Sequence, residues 1–494
     1  MILALDQGTS SSRALLFDKN GQLLGLEQQE FQQYYPQEAW VEHDAEEIWR
    51  SQLQVAQRLI EKMQISPQAI QAIGITNQRE TTILWDKKTG RPVHRAIVWQ
   101  DRRTASYCEE LKQAGHADYL RQHTGLLADA YFSATKIRWI LEHIPQAKAL
   151  AEKEQLCFGT VDSWLLWKLT NGKVHKTDPS NASRTLLYNL HTGEWDPKLL
   201  DIFGIPAHIL PKISASSGLF GHTDPALFGA EIPITGIAGD QQAALFGQGC
   251  WQAGSVKNTY GTGCFMLMNT GNQPQNSNSG LLTTVAWEID GQRTYALEGA
   301  VFVAGAAIQW LRDSLRILDS AKDSSYFAQQ VEDTNGVYFV PAFAGLGAPY
   351  WDMYARGAIL GLSRSSTKAH IVRAALESLA YQSKDLLLAM QQDAQLPLVQ
   401  LKVDGGASAN DFLMQFQSDI LNAELLRPSL QETTAAGAAY LAGLGAKVWT
   451  KSDIQGFLAK QAQSFQPNMP ATDREKRYAR WLKAVSRTRN WAEE

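Results

Sequence analysis

The sequence uses the same local pattern twice, about 250 residues apart. An apolar run, residues 2–5, meets a small polar turn rich in hydroxyl groups and returns as a second apolar run, residues 13–17. Residues 256–268 repeat this pattern around the glycine turn 261–263. Each copy is typical of a buried strand, a tight turn and a returning strand. The repeat predicts two related α/β halves, each a sheet with helices around it, that meet near residue 250.

Length and composition agree with a folded chain of more than one domain. The chain has 494 residues, of which 44% are hydrophobic and 19% are charged. These values are typical of globular proteins and unlike those of disordered chains. Strand and helix patterns alternate through both halves, so we place the domains at residues 1–250 and 251–494. A deep cleft between two such halves is the expected ligand site.

Charge and cysteine usage exclude several classes of protein. With 46 basic and 50 acidic residues the net charge is −4, so no global basic field attracts nucleic acid or an acidic membrane. The four cysteines include no Cys-x-x-Cys pair, which argues against a zinc cage and a disulfide framework. Asp6 interrupts the first apolar run, and no later run approaches 18 residues, so we expect no signal peptide and no membrane span. We therefore expect a cytoplasmic protein whose partners are small molecules.

The first turn contains the residue types that bind phosphate. Its backbone N–H groups and the hydroxyls of residues 9–12 could surround phosphate oxygens, while Asp6 could hold Mg²⁺. An ordinary hairpin turn could have the same composition. Two further glycine turns, residues 261–263 and 404–406, also follow apolar strands. Three such turns suggest one nucleotide held from two sides, although none matches a P-loop or a dinucleotide-binding fingerprint.

A second polar segment, Arg79 and Glu80, lies between two strand patterns. A guanidinium fork beside a carboxylate suits a polyol, which offers both lone pairs and hydroxyl protons. An ion pair on a surface loop is the more common origin of such neighbours. Three aromatic residues could supply an apolar wall beside the pair, although aromatic side chains more often belong to a core. They are Trp99, Tyr131 and Phe265.

A third candidate is Asp240, which closes the apolar run 232–238. The carboxyl end of a strand faces the crevice in which α/β folds bind ligands, so Asp240 could take a proton from an attacking hydroxyl. The same side chain could instead cap a helix that starts at Gln241. The residues alone favour the cap slightly.

Taken together, these segments strongly resemble the FGGY carbohydrate kinases, and among them those that phosphorylate glycerol. The match runs in order over nearly the whole chain, through residues 6–13, 77–80, 99–104, 239–242, 258–263, 349–363 and 404–406. The resemblance implies two ribonuclease-H-like domains of the actin and hexokinase ATPase type on either side of a deep cleft. It implies an enzyme that uses ATP as substrate and Mg²⁺ as cofactor to convert glycerol to sn-glycerol 3-phosphate.

The resemblance also implies roles for individual residues. Residues 1–250 would mainly bind glycerol and add the phosphate turn, and residues 251–494 would mainly bind ATP. Asp240 would be the general base, and Asp6 with Asp240 would serve the Mg²⁺ region. The residues expected to hold glycerol are Arg79, Glu80, Trp99, Tyr131, Asp240, Gln241 and Phe265. Those expected to contact the nucleotide are Thr9, Ser10, Ser11, Arg13, Thr262, Gly305, Gln309, Gly406 and Asn410.

One segment departs from the family pattern, and two alternative functions stay open. Some bacterial members carry a basic glycine-rich loop for a sugar-bisphosphate inhibitor, but residues 221–231 contain no Arg or Lys, so we do not expect feedback through this loop. The alternatives are another FGGY kinase, acting on a pentulose or a tetritol, and an actin-like or chaperone-like ATPase. The pair Arg79 and Glu80 favours glycerol. We also expect a homo-oligomer, a dimer or a tetramer.

Overall fold

The computed structural model describes residues 1–459 and 462–492. Its strands are β1 (Ile2–Gln7), β2 (Ser11–Phe17), β3 (Leu23–Glu30), β4 (Glu42–His43), β5 (Ala72–Asn77), β6 (Ile83–Asp86), β7 (Ala96–Ile97), β8 (Leu156–Gly159), β9 (Lys176–Thr177), β10 (Tyr188–Asn189), β11 (Glu194–Trp195), β12 (Lys212–Ile213), β13 (Ser217–His222), β14 (Pro233–Gly239), β15 (Ser255–Tyr260), β16 (Cys264–Gly271), β17 (Leu282–Ile289), β18 (Gln292–Val301), β19 (Tyr338–Val340), β20 (Ala358–Leu360), β21 (Gln400–Asp404), β22 (Leu425–Pro428) and β23 (Ala462–Phe465). Its helices are α1 (Ala45–Lys62), α2 (Ala105–Gln113), α3 (Ala117–Thr124), α4 (Ser133–His143), α5 (Pro145–Glu152), α6 (Val161–Leu169), α7 (Pro179–Ala182), α8 (Pro197–Phe203), α9 (Pro225–Phe228), α10 (Asp240–Gly247), α11 (Gly305–Asp313), α12 (Asp323–Gln329), α13 (Lys368–Ala394), α14 (Asp411–Leu421), α15 (Thr433–Gly445), α16 (Lys451–Ala459) and α17 (Ala471–Ser486).

Two large sheets share one topology. The first has the strand order β13-β14-β5-β1-β2-β3, and the second has the order β17-β18-β16-β15-β21-β22-β23. In each sheet a central hairpin, β1–β2 or β15–β16, is followed on one side by an antiparallel strand. On its other side lie two parallel strands and then an antiparallel edge strand. The second sheet adds β17. The shared order confirms the predicted α/β fold with two related halves.

The strand register brings the polar turns to one end of each sheet. In the first sheet Asp6 lies opposite Arg13 and beside Thr76 on the parallel strand β5. In the second sheet Thr259 lies opposite Phe265 and beside Asp404 on β21. The carboxyl ends of parallel strands are the usual place for ligands in α/β folds. Each half therefore presents its turn at the position where such a fold binds ligands.

Two helices, α10 and α15, pack between the sheets. Helix α15 lies so close to the first sheet that a Cβ atom on Gly74 would overlap the carbonyl oxygen of Ala438. The two helices also touch backbone to backbone, because a Cβ on Gly437 would overlap the carbonyl of Ala243. One hydrophobic cluster runs through both helices into β1 of the first sheet and β16 of the second. The two halves therefore share a continuous core.

The four cysteines form no disulfide bond in the described chain. Cys108, Cys157, Cys250 and Cys264 are all buried and free, and burial raises the pKa of each thiol. Within residues 1–459 and 462–492, none of the helices combines the length and the apolar character that a membrane crossing requires.

Candidate active site

A buried ion network centred on Arg79 joins the two sheets. Its Nη1 and Nη2 atoms donate to the two carboxylate oxygens of Glu298 on β18, at 2.5 and 3.1 Å. Arg184 donates to Glu298 at 3.0 Å and to Glu80 Oε1 at 2.6 Å. All four side chains belong to residues that are at most 3% exposed. The explanation of Arg79 and Glu80 as a surface ion pair is therefore wrong, because both residues lie in the interior.

The network sets the charge of its members. Burial alone would raise the pKa of Glu298, but the guanidinium groups of Arg184 and Arg79 outweigh it and hold that pKa at about 2. Burial lowers the pKa of Arg79, yet Glu298 and the neighbouring carboxylates raise it well above its ordinary value. The network therefore contains ionised groups of both signs that compensate one another in the buried interior.

The backbone at Glu80 holds its side chain in place. Glu80 has φ of 62°, a left-handed conformation that is unfavourable for a residue with a Cβ atom. Its carbonyl oxygen accepts hydrogen bonds from the Ser133 hydroxyl at 2.9 Å and the Thr82 hydroxyl at 3.1 Å. These bonds, with the ion pair to Arg184, stabilise the strained turn. The turn directs Glu80 back toward Arg79, whose Nε lies 3.8 Å from Glu80 Oε1.

Asp240 is the more accessible acid beside this network. Its Oδ1 atom lies 3.2 Å from Arg79 Nε and accepts from the Gln241 backbone N–H at 2.7 Å. The side chain is 32% exposed, and within the described residues Oδ2 has no hydrogen-bond partner. The N-cap of α10 is Gly239, and Asp240 is the first residue of the helix, so the prediction of Asp240 as the cap is wrong. A Cβ on Gly239 would crowd the Arg79 side chain, so glycine is needed where Arg79 passes.

The aromatic candidates divide between the two halves of the chain. The Trp99 and Tyr131 rings meet edge to face, with 5.6 Å between their centroids. Arg79 Nη2 lies 3.4 Å from the Tyr131 hydroxyl oxygen, and Trp99 Nε1 donates to Thr9 Oγ1 at 3.0 Å. Phe265 lies on β16 and pairs with neither ring in the described part of the chain. The structure thus brings two of the three aromatic residues together, beside the first turn.

The first turn faces Asp240 and the start of α15. Asp6 is 7% exposed, and burial raises its pKa to about 7, with Arg13 opposing and Asp240 adding to the rise. Arg13 forms an ion pair of 2.9 Å with Glu432 of the other half. Ser10 is exposed at the tip of the turn, whereas Ser11 is buried and its carbonyl accepts from Gly8 N–H at 2.9 Å.

Three backbone segments of the second half meet around the turn 261–263. The first residue of α11, Gly305, donates its N–H to the Gly261 carbonyl at 3.1 Å, and Gln309 lies exposed one turn further along that helix. Gly405, with φ of 85°, presses against Tyr260 so closely that a Cβ would overlap it.

The backbone next to the contact between Gly405 and Tyr260 is accessible. A Cβ on Gly406 would meet no atom within 4 Å, and Thr262 is exposed. Asn410 caps α14, with its side-chain oxygen 3.1 Å from the Leu413 N–H. Two of the predicted nucleotide residues of this half, Thr262 and Gly406, therefore lie where a ligand can reach the backbone.

Sequence analysis missed three charged residues of the site, Arg184, Lys257 and Glu298. Lys257 lies on β15 and is fully buried; burial lowers its pKa to about 8, although the nearby Asp404 and Asp240 oppose this. Val256 precedes Lys257 and Leu297 precedes Glu298, whereas Arg184 lies between Ser183 and Thr185. A charged residue inside an apolar strand is a signal of a buried partner, and this signal marks Lys257 and Glu298.

The comparison with known proteins decides the family. The model of the FGGY family of carbohydrate kinases, N-terminal domain, matches residues 1–247, and the model of its C-terminal domain matches residues 256–446. The chain belongs to the FGGY family of carbohydrate kinases.

Several FGGY relatives resemble the chain over its whole length. A glycerol kinase of Natranaerobius thermophilus is 58% identical over 99% of each chain, and one of Alkaliphilus oremlandii is 59% identical over 100% of this chain and 98% of its own. Among solved structures, the crystal structure of Plasmodium falciparum glycerol kinase with ADP superposes with a TM-score of 0.95, at 36% identity, over 99% of this chain and 98% of that one.

Proposed function

We propose that this FGGY kinase transfers the γ-phosphoryl group of ATP to a primary hydroxyl of glycerol, giving sn-glycerol 3-phosphate. Relatives that are 58% and 59% identical over the full length are glycerol kinases, which supports this substrate. In the site, one observation carries the proposal. Asp240 is a partly exposed carboxylate at a strand end, with one oxygen engaged by Arg79 and the other without a partner in the described chain.

Asp240 would accept the proton of the attacking hydroxyl. Arg79 Nε and the Gln241 N–H both approach Oδ1, which fixes the carboxylate and leaves Oδ2 to receive the proton. A base that is held in this way orients the nucleophile for in-line attack on the γ-phosphorus. Positioning of the two substrates then supplies most of the rate enhancement.

The polyol would meet polar atoms that the protein leaves unpaired. Among the described residues, Glu80 Oε2 and Gln241 Nε2 have no hydrogen-bond partner, and the Tyr131 hydroxyl proton is not donated to any atom. One acceptor and two donors suit neighbouring hydroxyl groups, each of which both donates and accepts. Trp99 and Phe265 would border the carbon chain. Arg79 itself would act largely by fixing Asp240 and Glu80, since its fork is engaged by Glu298.

The nucleotide would lie between the first turn and the open backbone of the second half. Thr9, Ser10, Ser11 and Arg13 would face its phosphates from residues 1–250. From residues 251–494, Thr262, Gly305, Gln309, Gly406 and Asn410 would complete the site. The open space beside Gly406 supports this assignment, because a Cβ atom there would meet no atom within 4 Å and a ligand can approach the backbone.

The residues around Asp6 fit a magnesium ion. Asp6 and Asp240 place two carboxylates near each other, and their mutual repulsion together with burial raises the pKa of Asp6, a situation that a bound cation relieves. Carboxylate oxygens are preferred Mg²⁺ ligands. When bound with ATP, the ion would neutralise phosphate charge. We assign Asp6 and Asp240 to hold it.

We also propose a homo-oligomer, a dimer or a tetramer, that works in the cytoplasm. A cluster of exposed apolar side chains, Trp351, Met353 and Tyr354, supports self-association, because such a patch usually meets a partner. Sedimentation velocity of the purified chain tests this assembly, and a monomer at micromolar concentration would refute it.

A coupled ADP-release assay tests the reaction. Glycerol should stimulate ADP release strongly over the basal rate, and the product should be sn-glycerol 3-phosphate by NMR and by a stereospecific dehydrogenase. A preference for a pentulose or a tetritol in the same panel would favour another FGGY kinase. ADP release that no polyol or ketose stimulates would favour an actin-like ATPase.

A further inference from the structure

Lys257 is a fully buried charge that the mechanism above does not use. It lies in the middle of β15 and is 0% exposed. Its Nζ donates to Gln241 Oε1 and, at 2.9 Å, to Thr259 Oγ1. Within residues 1–459 and 462–492, no carboxylate lies close enough to form an ion pair with it. Its contacts are therefore with neutral groups, one of which belongs to the residue next to Asp240.

The chemistry of an ammonium group dictates how Gln241 is oriented. A protonated lysine has three donors and no acceptor, so it can only face the oxygen of the Gln241 amide. The NH₂ end of that amide then points away from Lys257, and in the described chain Nε2 donates to no protein atom. Gln241 is half-buried in the first turn of α10. The free NH₂ group therefore belongs to the residue whose backbone N–H holds Asp240 Oδ1, next to the place where the acceptor substrate is proposed to bind.

We propose that Lys257 is a positioning residue that holds the Gln241 amide so that its NH₂ group donates to a hydroxyl oxygen of the acceptor polyol. The inference rests on the proposed function, because it takes the acceptor to be glycerol. Without the lysine the amide could rotate and present its oxygen instead. A glutamine in that orientation would accept the hydroxyl proton, which Asp240 is placed to receive.

The register of the second sheet offers a matched control. Lys402 on β21 lies directly beside Lys257 in the parallel pairing, and its Nζ donates to the Gln248 carbonyl rather than to a site side chain. Lys402→Met therefore removes the same charge from the neighbouring strand without touching Gln241. Methionine is close to lysine in length, and replacing a buried charged group with an apolar one of similar size is often tolerated.

The experiment is a double-mutant cycle with Lys257→Met, Gln241→Ala and their combination. We expect each single variant to raise the KM for glycerol about tenfold, the effect of losing one hydrogen bond. The KM for ATP should stay within about twofold of wild type, and the double variant should be no worse than Gln241→Ala. Calorimetric titration of glycerol should show the same loss of affinity, and Lys402→Met should keep the wild-type glycerol KM. Effects that add in the double variant, or an unchanged KM in Lys257→Met, would overturn the proposal.

Gln241→Glu is a further test variant that keeps Lys257, so its result does not depend on whether Lys257→Met folds. Gln241→Glu can pair with Lys257 but cannot donate a hydrogen bond, so its glycerol KM should rise at least as much as that of Gln241→Ala. A KM near wild type would refute the role assigned to the amide. The wild-type polyol panel is measured first. If glycerol is not phosphorylated, the proposed function fails, and the same cycle is then run with the preferred hydroxyl acceptor.

Discussion

The two halves of the chain share one sheet topology but offer different chemistry at equivalent positions. At the first hairpin, the acid Asp6 lies opposite the base Arg13. At the second, Thr259 lies opposite Phe265, and the charged residue, Lys257, stands two positions earlier on the strand. At these equivalent positions the first half thus presents a carboxylate and a guanidinium group, and the second half presents a hydroxyl group and an aromatic ring. The shared topology therefore sets the positions of these groups, and the side chains at those positions set the chemistry of each half.

The largest test of this division is Asp240→Asn, which removes the proposed base from the first half. We expect kcat to fall by about 10²- to 10⁴-fold, with ATP binding by calorimetry and the melting temperature close to wild type. Asp224→Asn, which changes the half-buried cap of α9 in the same half, should keep wild-type kcat. If Asp240→Asn retains more than half of wild-type kcat, the carboxylate is not the base.

Substrate choice is the second test, because the residues proposed to bind the hydroxyl groups, Glu80, Tyr131 and Gln241, all lie in the first half. If the site satisfies neighbouring hydroxyls, an analogue lacking one leaves a buried group unpaired, and kcat/KM for propane-1,2-diol should fall by up to ~10⁴-fold relative to glycerol. Arg79→Lys keeps the charge but loses the two-point contact with Glu298, so it should weaken glycerol use as well. Arg293→Lys, at the partly exposed pair with Glu288, is the control. Equal use of both polyols by wild type would contradict the assignment.

The third test breaks the link between the halves. Glu298→Gln removes the carboxylate that Arg79 and Arg184 share, and a buried pair broken from one side typically costs about 3–5 kcal/mol of unfolding free energy. Glu288→Gln, in the same β17–β18 hairpin at a partly exposed ion pair, should cost under about 1 kcal/mol. Urea denaturation measures both. Equal losses would show that the link between the halves contributes little.

The same carboxylate predicts an acid dependence. The pKa of Glu298 is about 2 in the fold against an ordinary value of 4.5, so the stability it contributes is fully present above pH 4.5 and is lost as the pH falls toward 2. The stability difference between wild type and Glu298→Gln should therefore shrink over this window. A difference that stays constant from pH 5 to pH 3 would mean that the ionised form is not favoured by folding.

The smallest expected effect compares the two turns directly. Thr262→Val should weaken binding of an ATP analogue by roughly 1.5–3 kcal/mol, the contribution of a hydrogen bond to a charged group, and leave glycerol affinity unchanged. Thr9→Val should weaken both ligands, because the Thr9 hydroxyl also accepts from Trp99. Calorimetric titrations of both ligands distinguish the two outcomes. An unchanged nucleotide affinity in Thr262→Val would mean that the second turn has only a structural role.

Some elements of the fold follow from short stretches of sequence. The apolar runs around the turns 8–10 and 261–263 predict both hairpins, because burial and turn geometry depend on residues a few positions apart. The glycine turn at Gly405 also follows from local sequence, because the positive φ of Gly405 and its close contact with Tyr260 both require glycine. The doubled pattern was therefore enough to predict two α/β halves, and the resemblance to the FGGY kinases drew on the same motifs.

Local sequence patterns were therefore enough to predict the two-part architecture, the turns and the family. The pairing of the charges depends on contacts between distant parts of the chain. Sequence analysis placed Arg79 and Glu80 side by side but not Glu298, which lies 219 positions from Arg79. It also could not exclude the cap assigned to Asp240. A charged residue in a strand pattern indicates a buried partner but not which residue that partner is, because helices α10 and α15 must first bring the two sheets together. The cost of burying an unpaired charge then selects the contacts that compensate it.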